Sequence, residues 1–332
     1  MSSYLEVSED LAGIQLDEFL AMNWPRVAKG KLRELVRAGQ ITIGGRPALP
    51  SHRLRSSDVV LIDADMSELK QVAAASFKPV ILHQDEHLVA VNKPAGFPVE
   101  PSRWGEHPEN LTGAMLDWAE ANQRPDGLPV VRPRALHRLD LGTSGVLLYA
   151  LSLEAERHYR NLFEQGDINK VYHALVIGEM RSGGVIDSRL APDPRQGGVM
   201  KTVKAPGGKR AVTEYQPLKL YRGYTLVECR PQTGRTHQIR VHLASIGHPL
   251  AVDTRYGGRD KIQLSELKSG YRPKPGRPER ALIERLTLHA FSVEVIDPNG
   301  NKQRIEAQYP KDLRILLSKM EKWRHAPETY SR

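Results

Sequence analysis

The chain has 332 residues, 40% of them hydrophobic and 26% charged, with a single cysteine and a formal net charge of +9. This length favours one large domain with a smaller one attached, and no apolar run approaches the roughly 20 residues that a membrane-spanning helix needs. The first residues are polar and acidic, unlike a signal or transit peptide, and Cys229 has no disulfide partner, so we expect a cytoplasmic protein. We also expect a monomer that contacts no membrane.

The positive charge is clustered along the chain. Residues 26–55 contain eight basic residues and one acid, and residues 195–210 contain five basic residues and no acid. A merely solvated surface normally mixes both signs, so this clustering favours binding to RNA or DNA. The candidate RNA-binding residues of the first cluster are Arg26, Lys29, Lys31, Arg33, Arg37, Arg53 and Arg55.

The first part of the chain reads as a small α/β unit. Apolar residues at helical spacing predict two helices, around residues 16–20 and 32–36, and the second ends at Gly39. Two short strands are predicted at residues 40–43 and 59–62.

This stretch resembles the small RNA-binding module that is named after a small-subunit ribosomal protein, in which a helix pair and a hairpin contact folded RNA. The resemblance implies an RNA-binding module over residues 1–66. Residues 67–78 show no strong periodicity and predict a linker.

Beyond the linker, short strand-forming runs alternate with helices. The strand candidates are residues 80–82, 88–91, 146–150, 171–177, 225–229 and 291–295. A helix is predicted over residues 153–165, with Ser152 as N-cap and Gly166 as C-cap. An α+β domain around a largely antiparallel mixed sheet fits this order best. The basic, Gly- and Pro-rich residues 258–284 predict a long loop or insertion.

Asp140 lies in a turn-forming sequence that leads into the predicted strand at residues 146–150. A carboxylate on a loop held by a buried strand is a suitable mounting for a reactive group. Locally, an Asp that caps the turn through backbone hydrogen bonds fits equally well. The other motifs of the chain must therefore decide between a reactive role and a turn-capping role for Asp140.

A helix is predicted over residues 236–246, between two glycines. Its core-facing residues would be Ile239, Leu243 and Ile246. His237 and Arg240 then share the other flank, so Arg240 can point into a cleft.

These segments, together with residues 92–99 and 169–178, resemble the ribosomal-large-subunit (Rlu) type of RNA pseudouridine synthase. Four motifs occur in the family's order, and with the amino-terminal module the resemblance covers nearly the whole chain. It implies a pseudouridine synthase fold with a central cleft over residues 79–332, no cofactor, and structured RNA as substrate. Large-subunit ribosomal RNA is the first choice and transfer RNA the alternative.

The resemblance also implies roles for individual residues. Asp140 matches the family's catalytic aspartate and Arg240 the arginine that pairs with it. Tyr172 matches the tyrosine that stacks on the flipped uracil, and Arg138 the residue that helps to displace the target nucleotide. Further candidates for substrate binding are His137, Lys93, Thr143, His237 and Arg235.

Other interpretations have weaker support. His83 and His87 are four residues apart and could bind zinc on a helix, but Asp85-Glu86 predicts a turn there, so no metal is expected. A glycoside hydrolase would normally need a second carboxylate paired with Asp140. A non-catalytic RNA-binding or ribosome-assembly factor on the same fold would lack Asp140 or Arg240, and both are present.

Overall fold

The computed structural model describes residues 3–69, 76–100, 109–122, 132–257, 259–272 and 276–325. The chain forms two compact units, one of residues 1–79 with 98–134 and one of residues 80–97 with 135–332. The first unit thus includes residues 98–134, which lie outside the predicted module. In the described part of the chain, no helix is both long and apolar enough to cross a bilayer.

The first unit contains a four-stranded antiparallel sheet and three helices. The strands, in the order β1-β4-β2-β3, are β1 (Ser3–Glu6), β2 (Ile41–Ile43), β3 (Arg46–Pro47) and β4 (Val59–Ile62). The helices are α1 (Leu16–Asn23), α2 (Lys29–Arg37) and α3 (Leu111–Ala121), with a 3-10 turn at Glu9–Leu11. The predicted helix pair and both predicted strands are confirmed; β1, β3 and α3 are additional.

The second unit is built on a large mixed sheet. The strands that follow in the chain are β5 (Val80–Gln84), β6 (Leu88–Lys93), β7 (Arg134–Ala135), β8 (Ser144–Ala150), β9 (Asn169–Ile177), β10 (Gly184–Pro192), β11 (Met200–Val203), β12 (Lys209–Tyr221), β13 (Tyr224–Pro231), β14 (Ile262–Gln263), β15 (Ala281–Ile283), β16 (Leu288–Ile296) and β17 (Lys302–Glu306). The helices are α4 (Leu153–Gln165), α5 (Gln238–Ser245), α6 (Leu264–Leu267) and α7 (Lys311–Arg324).

Most neighbouring strands of this sheet run antiparallel, in the order β11-β10-β12-β13-β9-β16-β8-β6-β5, with β17 beside β16. Among the described residues the exception is the pair β8 and β16, which runs parallel with Ser144 opposite His289 and Gly145 opposite Ala290. The α+β class and the largely antiparallel mixed sheet predicted from the sequence are therefore confirmed.

Strand β8 fixes the segment that precedes it. All seven of its residues are buried, and Tyr159 of α4 packs against its core-facing side chains. Gly145 has a φ of +118°, and a Cβ at this position would lie 2.1 Å from the backbone oxygen of Ala290. Because no side chain fits in that space, glycine is required where the chain leaves the Asp140 turn and pairs with β16.

Two predictions about the later part of the chain are wrong in detail. Helix α5 begins at Gln238, because His237 takes a left-handed conformation with a φ of 55°. Ile246, predicted to face the core, is 37% exposed. Within the segment 258–284, predicted as a loop, the described residues form the antiparallel strand pair β14–β15 and helix α6, whose buried apolar residues are Ile262, Leu267 and Ile283.

Candidate active site

Asp140 lies on the turn that enters β8. The turn is closed by its backbone, since the Thr143 amide donates to the Asp140 carbonyl over 3.0 Å. The Asp140 side chain is 25% exposed, and its Oδ2 accepts a hydrogen bond from Arg240 Nη1 over 2.9 Å. The carboxylate is thus engaged by a side chain while it still reaches solvent.

Arg240 is held between two carboxylates. Its Nε donates to Asp253 Oδ2 over 2.7 Å and its Nη2 to Asp253 Oδ1 over 2.9 Å, which leaves Nη1 for Asp140. The Arg240 and Asp253 side chains are only 6% and 1% exposed. Burial lowers the pKa of Arg240, but hydrogen bonds and charge from Asp253 and Asp140 outweigh it, so the pKa is raised. The guanidinium is therefore a fixed positive charge whose plane is set by the bidentate pair.

Tyr256 supports this arginine from another side. Its ring lies 5.0 Å from the Arg240 guanidinium carbon, a cation–π distance. The Tyr256 hydroxyl accepts from the Met200 amide over 2.8 Å and lies 2.9 Å from His237 Nδ1. The Tyr256 hydroxyl can donate to or accept from His237, according to which ring nitrogen of His237 carries the proton. Burial lowers the pKa of His237, which agrees with a neutral ring.

Lys93 anchors the Asp140 turn from the interior. Its ammonium group is fully buried and donates to the backbone carbonyls of Thr143, Pro94 and Leu141 over 2.8, 3.0 and 3.2 Å. Burial lowers the pKa of Lys93 to about 7, with the charge of Asp140 acting in the opposite direction. Lys93 and Thr143 are 0% and 1% exposed, so their burial argues against the predicted direct contact with substrate.

Tyr172 lies on β9, with its side chain half-buried against the core cluster that contains Leu250 and Leu288. Burial raises the pKa of the Tyr172 phenol, and the negative charge of Asp140 raises it further. The phenol is therefore uncharged at physiological pH. A neutral aromatic ring within the field of the carboxylate can serve as a stacking surface for a planar base.

Comparison with known proteins agrees with this arrangement. Residues 87–245 match the family model described as RNA pseudouridylate synthase. Ribosomal large subunit pseudouridine synthase D of Xanthomonas campestris is 31% identical over 94% of this chain and 90% of the relative. The enzyme of the same name from Pseudomonas aeruginosa is 32% identical over 97% of this chain and 96% of the relative. The chain belongs to the RNA pseudouridine synthase family.

A solved structure supports the fold of this synthase independently. Human RNA pseudouridylate synthase domain containing 4 shares 25% identity and a TM-score of 0.55 over 73% of this chain and 93% of that chain. The pseudouridine synthase fold inferred from the sequence motifs is therefore confirmed.

Three predicted substrate-binding residues lie close in sequence to the site but differ in environment. Arg138 is exposed, as a nucleotide-displacing side chain must be. Arg235 is exposed too, and its Nε donates to the Arg210 carbonyl over 3.1 Å. His137 Nε2 instead accepts from the Leu148 amide over 3.2 Å, and burial lowers the His137 pKa to about 3. His137 thus supports β8, which argues against its predicted contact with substrate.

The predicted RNA-binding residues of the first unit divide into paired and unpaired side chains. Arg26, Lys29 and Arg33 have carboxylate partners within the unit. The pairs are Arg26 with Asp117 and Glu120, Lys29 with Glu18, and Arg33 with Asp17. Lys31 lies 3.3 Å from Glu34, and Arg53 donates to the Gly13 carbonyl. Arg37 and Arg55 are exposed, and no side-chain partner for either is present in the described residues.

Asp253 and Tyr256 belong to the site but received no role from the sequence. Asp253 follows Arg240 by thirteen residues and Tyr256 by sixteen. Both residues lie beyond the end of α5, which carries Arg240, so only the three-dimensional arrangement reveals the contacts. His83 and His87 flank the predicted turn, in which Asp85 Oδ1 accepts from the backbone amides of His87 and Leu88. No cluster of three metal-ligating side chains occurs among the described residues.

Proposed function

We propose that this chain converts uridine to pseudouridine in large-subunit ribosomal RNA, with the Asp140 carboxylate as the catalytic group. The observation that carries the proposal is the partly exposed Asp140 bonded to a buried arginine that Asp253 holds in place. Relatives that align over nearly the whole chain are named for the ribosomal large subunit, which favours this RNA over transfer RNA. We further propose that the enzyme acts in the cytoplasm as a monomer.

The reaction breaks the bond between uracil N1 and ribose C1′ and forms a bond between C5 and C1′. The hydrogen on C5 leaves to water and N1 gains a proton, so no electrons are transferred and no co-reactant is consumed. A single carboxylate can act as nucleophile or base in this sequence. Asp140 suits either role because it is on a turn that Lys93 and Gly145 hold in place.

The surrounding residues would position the base. A uracil inside folded RNA must leave its stack, which costs a few kcal/mol. Stacking on Tyr172 would offset part of this free energy. The exposed Arg138 would fill the position in the RNA stack that the flipped uracil leaves. Since burial and Asp140 keep the Tyr172 phenol neutral, stacking is favoured over proton abstraction by this residue.

The test is release of tritium from RNA labelled at uridine C5. The wild-type enzyme should release label to water, and Asp140→Asn should abolish release while RNA affinity stays within about twofold. Asp65→Asn is the matched control, since Asp65 is an exposed turn residue of the first unit that accepts from the Ser67 amide. No release by the wild type from ribosomal or transfer RNA would refute catalysis and favour a non-catalytic RNA-binding factor.

Residues 1–66 are proposed to supply RNA affinity rather than chemistry. The support is the pair of exposed arginines without side-chain partners in the described chain, Arg37 and Arg55. Arg26, Lys29 and Arg33 are instead proposed to stabilise the unit through their ion pairs. These pairs would have to break before the three side chains could bind phosphate.

A further inference from the structure

Helix α7 has two distinct faces. Leu313, Leu316 and Met320 are buried in a core cluster of the second unit. The opposite face of the helix is basic and at least partly exposed to solvent. Its cationic residues are Lys311, Arg314, Lys319 and Lys322.

The acids of α7 do not neutralise this face. Asp312 receives two hydrogen bonds of 2.8 Å from Arg285, and Glu321 lies 2.6 Å from Lys219. Among the described residues, no carboxylate forms an ion pair with the four basic side chains of the outer face. The face therefore keeps a net positive charge.

The positive charge concentrates around one aromatic ring at the end of the helix. The ammonium groups of Lys319, Lys322 and Lys268 lie 5.1, 5.5 and 5.8 Å from the Trp323 ring centroid. Trp323 is partly exposed. Three like charges around one indole repel each other, so an anion placed among them would be strongly favoured. An aromatic ring beside ammonium groups is the arrangement that single-stranded nucleic acid binds, through stacking and phosphate contacts.

The beginning of α7 lies at a groove next to the Asp140 turn. Lys311 and Ile315 line an open groove of about 570 Å³ together with the loop Pro94-Ala95-Gly96. The Gly96 amide donates to the carbonyl of Leu141, the residue after Asp140, over 2.8 Å. The 14 residues of α7 extend about 20 Å at 1.5 Å per residue. The helix thus leads from the neighbourhood of Asp140 to the Trp323 cluster.

We propose that the outer face of α7 and Lys268 form a second RNA-binding surface, which holds a single-stranded segment flanking the target uridine. Lys268, Lys319 and Lys322 contact phosphates, and Trp323 stacks on a base. This inference rests on the proposed function for the identity of the polyanion. Lys268 comes from the segment 258–284, so that segment contributes to substrate affinity.

The decisive variant replaces the three lysines together, Lys268→Ala/Lys319→Ala/Lys322→Ala. For fluorescein-labelled oligouridylate, Kd should rise at least about tenfold at 0.1 M salt, and the slope of log K against log salt should fall by about 2. On a long RNA substrate KM should rise while kcat stays unchanged. The matched control, Arg181→Ala/Lys302→Ala/Arg304→Ala, removes the same charge where Arg181 and Arg304 already pair with acids, and should leave Kd unchanged.

A second variant tests stacking separately. Trp323→Leu should raise Kd about fivefold or more without changing the salt slope, because stacking contributes no counterion release.

Equal Kd and salt slope for the lysine variant and its control would overturn the proposal. Weaker binding to anionic phospholipid vesicles with unchanged RNA binding would overturn it in favour of a membrane surface. If the wild type binds RNA through these lysines but releases no tritium, the surface stands and the proposed function fails.

Discussion

Replacement of Asp253 by asparagine separates the positioning of Arg240 from the chemistry proposed for Asp140. Asp253 offers two oxygens to Arg240 Nε and Nη2, and its Oδ1 also accepts from the Arg255 amide. Asparagine has the same shape but only one acceptor oxygen. Its amide N–H groups would face an N–H group of the guanidinium, so at least one of the two hydrogen bonds must be lost.

The size of the effect follows from the burial of the pair. Removal of one partner from a buried ion pair costs about 3–5 kcal/mol of folding stability, because the remaining charge is left uncompensated. Asparagine keeps one acceptor and Arg240 keeps Asp140 as a partner, so we expect about 2–3 kcal/mol. Loss of a residue that orients a reacting group typically lowers activity by about 10- to 100-fold. We expect this loss in kcat, with little change in KM, because Asp253 is too buried to touch RNA.

Both quantities can be measured on the same protein. Urea unfolding gives the stability, and tritium release at saturating and limiting RNA separates kcat from KM. Glu179→Gln is the control, since Glu179 pairs with Arg181 at the surface and should change neither quantity. If Asp253→Asn loses stability but keeps kcat within twofold of wild type, Asp253 does not position Arg240 for catalysis.

Three further predictions concern the fold and the proposed RNA-binding module. Gly145→Ala should cost about 3 kcal/mol in urea unfolding, because its Cβ would lie 2.1 Å from the Ala290 oxygen; an unchanged midpoint would contradict this. Burial lowers the pKa of His242 to about 4, so the neutral ring contributes stability that is present above pH 6.5 and lost as pH falls towards 4. His242→Gln should flatten that part of the stability profile. Arg37→Ala/Arg55→Ala should weaken RNA binding and reduce its salt dependence by about 1–2 in slope, and the same slope as wild type would refute the proposed role.

Elements with an unbroken local pattern could be predicted from the sequence. Helix α4 has the predicted bounds because both of its ends are encoded nearby. Ser152 accepts from the Ala155 amide over 3.0 Å, and Gly166 takes the left-handed conformation at the C-cap with a φ of 84°. Strands β8 and β9 were recognisable because their apolar runs are buried by the sheet's neighbours on both faces.

The strands β10, β11 and β12 were missed for a physical reason. They lie towards one edge of the large sheet, where many side chains are exposed, and their apolar residues are interspersed with polar and charged ones. The five basic residues at 195–210 interrupt any apolar period in this stretch, so the residues show no strand pattern. Strand formation there depends on backbone pairing of β10 with β11 and β12, and of β12 with β13, which the sequence does not display.

Contacts that depend on tertiary structure could not be predicted for the candidate site either. Arg240 was identified by its resemblance to the family and by its place on a predicted helix. Its second partner, Asp253, lies beyond the end of that helix after a turn, so their contact depends on tertiary structure. The direction of His137 could not be read either, because whether it faces Asp140 or Leu148 depends on how the turn enters β8.

The charges around Asp140 reconcile two opposing demands on this enzyme. The proposed chemistry needs a carboxylate, whereas a polyanionic substrate is repelled by negative charge. Arg240 and Lys93 lie behind the carboxylate and balance Asp140 and Asp253, so the group of four carries no net charge while Lys93 is protonated. The cations proposed to attract RNA are instead on exposed surfaces, at Arg37, Arg55 and the outer face of α7. Attraction of the RNA and control of the carboxylate proposed as catalytic can therefore be altered independently.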